Sequence, residues 1–182
     1  MLYIMRHGKT DWNEIKRLQG RSDTELNEEG IAMAEAVREE CANIGFDVCF
    51  ASPLKRAHKT AQIALSGTDV PIILDDRLME MSFGIYEGMI EAAKEEGSPI
   101  RTFFKNPSMY KGVEGGETFE DLFKRTGEFL KEHVYPRLEK GEDVLIVGHG
   151  AMNCSIVCQY NDIPLDKFWD IGIPNCKLIC LG

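Results

Sequence analysis

Short apolar runs alternate with stretches of helical periodicity along this chain. Leu2 to Met5 is too short for a helix and wholly apolar, so it predicts a buried strand. Phe46 to Ala51, Pro71 to Leu74, Val144 to Val147 and Cys176 to Leu181 read the same way, and Val144-Leu-Ile-Val147 is the strongest signal. Between them the period changes. From Glu28 to Asn43, the positions Ile31, Ala34, Val37, Cys41 and Ala42 mark one helix face, with Asn27 as N-cap and Gly45 as stop. Ser52-Pro53 opens another helix, with Pro53 expected at the first helical position, and Gly67 ends it. Thr118 and Asp121 form a capping-box pattern ahead of Phe119, Leu122, Phe123, Thr126, Leu130 and Val134, and Pro136 is expected to kink or interrupt that helix. A last helix is expected over about 151–160.

Two stretches lack a period. Lys9 to Asn27 is polar and long for a loop, which marks it as functional and as a cover for a site. Residues 84 to 117 are broken by glycines and prolines, yet Phe103, Phe104, Met109 and Tyr110 give them something to pack, so an inserted lid or cap is expected there. The alternating order predicts an α/β fold of three layers, α/β/α, with a mostly parallel central sheet and helices on both faces. At 182 residues the chain suits a single domain, 1–182, carrying that cap.

Composition narrows the partners. A net charge of -9 argues against non-specific nucleic-acid binding, which needs a basic surface. An anionic substrate would need a local cluster of positive charge. Six cysteines without a CxxC pair, and no signal peptide, predict reduced and mostly buried thiols in a cytoplasmic protein. No apolar run approaches the roughly 18 residues of a membrane span, so no membrane partner is expected.

The chemistry sits at strand ends. Arg6-His7-Gly8 closes the first strand with a permanent cation, a nucleophile that titrates near neutrality, and a residue that permits a turn. By itself the tripeptide could equally cap a strand at the surface. Gly148-His149-Gly150 closes the strongest strand in the same way. If both strands are central and parallel, their C-terminal ends share one crevice, and the two imidazoles converge. Arg56 and Glu80 are further candidates from that edge. His58 and His133 lie among charged helical residues and are expected to be solvated. Cys154 and Cys158, four apart, read as buried thiols rather than metal ligands. Trp12 and Phe83 either line a pocket mouth or seal the core edge, with the pocket favoured.

These residues, taken in order, resemble the histidine phosphatase superfamily, also called the phosphoglycerate mutase-like family. Arg6-His7-Gly8-Lys9-Thr10 with Asn13 is similar to the family's opening signature, with Lys9 where Glu is more usual. Leu18-Gln19-Gly20, Ser52-Pro53-Leu54-Lys55-Arg56-Ala57, Leu78-Met79-Glu80, Gly115-Gly116-Glu117-Thr118 and Val147-Gly148-His149-Gly150 resemble its later blocks. The resemblance spans nearly the whole chain and implies a phosphoglycerate mutase-like fold. It implies that His7 attacks phosphorus, that Glu80 carries the proton, and that Arg6, Arg56, Asn13 and His149 hold the phosphoryl oxygens. Backbone contacts from Gln19, Gly20 and Gly150 follow more loosely. No metal and no cofactor are implied, because histidine supplies the nucleophile and arginine the charge.

The same scaffold serves hydrolysis, cofactor-dependent phosphoglycerate mutase chemistry, and non-catalytic phospholigand binding. Family mutases follow the acidic Glu with Arg-His-Tyr and carry an Arg-Arg pair in the insertion. Here Glu80 precedes Met81-Ser82-Phe83, and no cationic clamp is evident in 87–117. The expectation is therefore metal-independent hydrolysis of a small phosphorylated metabolite through a phosphohistidine.

Overall fold

The computed structural model describes residues 1–182. Its sheet contains β1 (Leu2–Arg6), β2 (Val48–Ala51), β3 (Ile72–Leu74), β4 (Val144–Gly148) and β5 (Ile179–Cys180), in the order β3-β2-β4-β1-β5. The first four strands in that order run parallel, and only β5 is antiparallel, on the edge of β1. The fold is α/β, as expected.

The two-residue period of the strands sorts side chains onto two faces. Leu2, Ile4, Val48, Phe50, Val144 and Ile146 point into one buried cluster, against α6 (Phe119–Phe129) and α8 (Gly150–Tyr160). Met5, Cys49, Ala51, Leu145 and Val147 point into the other. There they meet Cys41 of α3 (Arg38–Ile44) and Ala61 and Ala64 of α4 (Lys55–Ala64), beside α2 (Glu28–Ala36). Because every residue of β4 is buried, both faces of the central strand are covered.

Several local expectations are corrected. The helix expected over 28–43 is two, broken at Val37, and the break turns Ala34 and Cys41 inward while Ile31 and Ala42 stay exposed. Pro53 lies ahead of α4, whose N-cap is Leu54 in an extended conformation. The polar stretch after β1 holds a short helix, α1 (Asp11–Glu14), fixed by a reciprocal Thr10–Asn13 capping box. The helix is interrupted ahead of Pro136, as expected, without ending there. The chain widens into a π segment, Leu130–Val134, and resumes as α7 (Tyr135–Leu138), so that the missing N–H falls in a first turn, where none is needed. The last strand is shorter than expected because Cys176 takes a left-handed backbone, φ +50°.

The segment expected as a cap contains α5 (Pro99–Lys105), started by Ser98 and Pro99. Phe103 is its anchor, stacked on Phe119 and edge-on to Phe83, Tyr110 and Trp169. Phe104 and Met109 remain largely exposed. No helix of the structure is long and apolar enough to cross a membrane.

Candidate active site

Parallel pairing brings three chain reversals together. Arg6 is level with Gly148 and Ala51 with Val147, so the residues that follow, His7, Ser52 and His149, leave the sheet side by side. The imidazole centroids of His7 and His149 lie 5.2 Å apart. A pocket of about 180 Å³ opens at this edge, lined among others by Arg6, His7, Asn13, Gln19, Gly20, Arg56, Glu80 and Gly150. His149 is wholly buried behind His7 and is not part of the pocket wall. A roomier cleft of about 390 Å³, beside Glu25, Lys55 and His58, holds none of these groups.

The backbone around His7 is tied down on all sides. Its N–H donates to the Gly148 carbonyl at 2.9 Å, and its own carbonyl accepts from Asn175 Nδ2 at 2.6 Å. The next amide, Gly8 N–H, donates to Thr60 Oγ1 at 3.0 Å. His7 Nδ1 lies 2.7 Å from the Gly8 carbonyl, which can only accept, so Nδ1 carries the ring proton and Nε2 keeps its lone pair. Burial pushes the imidazole well below its ordinary range, and Arg56 and then Arg6 push the same way. Desolvation is the larger cause and the like charge of the arginines the smaller. The ring is neutral at pH 7, as a nucleophile must be.

The cations are held without being neutralised. Arg56 Nη1 donates to the Ser22 carbonyl and Nη2 to the Gly20 carbonyl, both at 2.7 Å. Burial lowers its pKa to about 10, which still leaves it charged at pH 7. Arg6 Nη1 donates to the Ile173 carbonyl at 3.3 Å. Neither forms a salt bridge, whereas Arg21, Arg77, Arg125 and Arg137 all do. Arg6 Nε, Arg56 Nε and His149 Nδ1 are buried nitrogens with no partner. Buried polar atoms of this kind are costly and call for an acceptor.

His149 is positioned by Ser52, which opens one of the family-like blocks but had no role assigned to it. Its Nε2 lies 2.8 Å from Ser52 Oγ. A serine hydroxyl both donates and accepts, so this contact fits either tautomer of the neutral ring. Burial, followed by Arg56, keeps that ring neutral as well. Asn13 Oδ1 accepts from the Thr10 N–H at 3.0 Å and Gln19 Oε1 from Thr24 Oγ1 at 2.6 Å, which leaves both side-chain NH2 groups free to donate. The Gly150 N–H opens α8 and is likewise free, at the positive end of an eleven-residue helix.

Glu80 reaches the site from the 3-10 turn Asp76–Leu78 and closes the N-terminus of α8 from outside it. Oε1 accepts from the Met81 N–H at 2.8 Å and the Met152 N–H at 3.0 Å, and Oε2 accepts only from the Ala151 N–H at 3.1 Å. Oε2 is therefore the oxygen with capacity to spare, and an added Cβ on Gly150 would stand 3.6 Å from it.

Not every expectation falls in the site. Phe83 lines the pocket, but Trp12 does not; it lies under the Arg17 guanidinium at 5.0 Å. His58 and His133 are half-buried rather than solvated, and His133 packs on Phe50 and Phe129. Cys154 and Cys158 are buried free thiols. Arg17, Trp169 and Asn175 join the site or its support without a motif to announce them. Ser52 could have been found by the logic applied to His7, since it too follows a buried strand.

Comparison with known proteins bears on the family and the fold. The family model "Histidine phosphatase superfamily (branch 1)" matches residues 2–182. Phosphoserine phosphatase 1 of Hydrogenobacter thermophilus is 28% identical over 178 residues, covering 97% of this chain and 83% of that one. The 2,3-bisphosphoglycerate-dependent phosphoglycerate mutase 2 of Gloeobacter violaceus is 31% identical over 182 residues, covering 97% and 82%. Among solved structures, Bacillus stearothermophilus YhfR superposes with a TM-score of 0.87 at 32% identity, covering 97% of this chain and 88% of that one. Family match, fold and the convergence of His7, His149, Arg6, Arg56 and Glu80 lead to one conclusion: this chain belongs to the histidine phosphatase superfamily and is an enzyme of the phosphomonoesterase kind.

Proposed function

We propose that the protein hydrolyses a small phosphomonoester by a metal-independent route through a phosphohistidine on His7. The observation that carries this reading is the His7 Nδ1 contact to Gly8, which leaves Nε2 with its lone pair in a pocket lined also by two arginines without salt bridges. The Nε2 lone pair attacks phosphorus while the bond from phosphorus to the ester oxygen breaks. Glu80 Oε2 delivers its proton to that oxygen, and the alcohol leaves. A water then gives its proton back to Glu80 and attacks phosphorus, the P–N bond breaks, and phosphate departs.

Arg6, Arg56 and the side-chain NH2 groups of Asn13 and Gln19, which line the pocket, would hold the three non-bridging oxygens, with the His149 ring packed 5.2 Å from that of His7. A cation about 4 Å from an anionic oxygen contributes roughly 4 kcal/mol at an effective dielectric near 20, before desolvation is counted. Phosphoryl transfer depends chiefly on such positioning and charge stabilisation.

The pocket wall favours hydrolysis over mutase chemistry. Of the cap residues Phe103 and Phe104 line it and Arg101, Lys105 and Lys111 do not, so the cap contributes no cationic pair, and Arg17 is the one cation of the wall beyond Arg6 and Arg56. Release of nitrophenol from p-nitrophenyl phosphate in the presence of EDTA is expected for the native protein and not for His7→Ala. Faster conversion of 3-phosphoglycerate to 2-phosphoglycerate than to phosphate, once 2,3-bisphosphoglycerate is added, would replace this reading with the mutase.

A further inference from the structure

We infer that Arg17 is the anchor for a second anion, a carboxylate on the alcohol portion of the substrate, and so determines which phosphomonoesters are turned over. This rests on the phosphomonoesterase reading above and adds to it. Arg17 lines the same pocket as His7 and Glu80, and it shares a second, adjoining cleft with Leu18 and Phe104, the latter packed against Trp169.

Three observations single it out. In a protein with 30 acidic and 21 basic side chains, an arginine in a cleft normally finds a carboxylate, yet Arg17 forms no salt bridge and its side chain no hydrogen bond within the protein. Glu91, which shares a neighbouring surface cleft with it, pairs with Lys94 instead. Its Nε is buried without a partner, while the guanidinium is half-buried and rests on the Trp12 ring at 5.0 Å. That stacking fixes the plane of the donor fork before any ligand arrives. Its main chain is also fixed, with the Arg17 N–H donating to the Trp12 carbonyl at 2.8 Å and a bridge to Ile90.

Charge and size define the ligand. A phosphoryl dianion engages Arg6 and Arg56, which leaves the third guanidinium for a third negative charge. A planar fork suits a carboxylate bidentately. The pocket, about 180 Å³, lies below the roughly 300–1,000 Å³ of most ligand pockets, so the chain between phosphate and carboxylate is short.

The test compares matched esters. Hydrolysis of O-phosphoserine is set against O-phosphoethanolamine, which lacks only the carboxylate, and of 3-phosphoglycerate against glycerol 1-phosphate. The native enzyme is expected to favour the carboxylated member of each pair by about tenfold or more in kcat/KM, the range for a charge-assisted hydrogen bond. Arg17→Gln should bring that ratio close to one, mainly through KM, and Arg17→Lys should restore part of it. A native ratio near one, a ratio unchanged in Arg17→Gln, or a stronger preference for bisphosphates overturns the assignment while leaving the phosphatase reading standing. Failure to hydrolyse any of the four esters and p-nitrophenyl phosphate as well removes both.

Discussion

At the scale of single residues, the site depends on where two protons sit. The Gly8 carbonyl places one on His7 Nδ1, and the Ser52 hydroxyl, which donates or accepts, engages His149 Nε2. Nitrogen NMR of the native protein should therefore show both rings neutral and His7 protonated at Nδ1. Since burial depresses both imidazoles well below the ordinary value of 6.5, neither should titrate on lowering the pH from 7 to 6. A midpoint near 6.5 for either ring would contradict the account. Ser52→Ala removes the partner of a fully buried nitrogen, at an expected cost of about 1–3 kcal/mol in stability. It should also lower kcat for p-nitrophenyl phosphate and shift the nitrogen spectrum of His149, and Ser52→Thr should recover both. Unchanged kcat and an unchanged His149 spectrum in Ser52→Ala would remove the positioning role.

At the scale of elements, the catalytic turn is set by close backbone packing on α2. A Cβ on Gly30 would overlap the Lys9 carbonyl and amide, and one on Gly8 would overlap the Gly30 carbonyl. Glycine to alanine inside a helix ordinarily stabilises by about 1 kcal/mol. Here the overlap involves backbone, which cannot swing aside, so Gly30→Ala should instead destabilise by roughly 1–3 kcal/mol. Urea unfolding measures the sign directly, and a stabilised variant would show that the approach of α2 to the turn is looser than described. Buried strands, capping boxes and their order were legible because period, Gly and Asn placement and apolar runs are local properties. His7 and His149 were legible because a strand end fixes position without knowledge of neighbours. What escaped was tertiary. The break at Val37 depends on which of Ile31, Ala34 and Cys41 can reach the sheet. The π segment ahead of Pro136 depends on packing over Phe50. Asn175 and Trp169 reach the site from a C-terminal stretch without a period.

At the scale of the whole molecule, an acidic chain keeps an anion site by withholding its carboxylates from Arg6, Arg17 and Arg56, while Arg21, Arg77, Arg125 and Arg137 are paired. The same burial that keeps the histidines neutral couples stability to pH. Their folded-state pKa values lie below the unfolded value, so above about pH 6.5 neither state binds the proton and stability is unaffected. As pH falls below that value the unfolded chain binds protons that the folded chain refuses. Each histidine then costs up to about 1.4 kcal/mol per pH unit until its folded-state pKa is reached. Thermal unfolding from pH 7.5 to 5 should show this loss, with a shallower slope in His149→Gln; an equal slope would separate the burial of His149 from acid sensitivity. The most direct test of the central claim is rapid acid-free quench of the enzyme with a phosphorus-labelled monoester. The account predicts label on the protein that is stable in base, labile in acid, mapped to His7 and lost in His7→Ala. Label that survives acid, or turnover at native rates by His7→Ala, would contradict it.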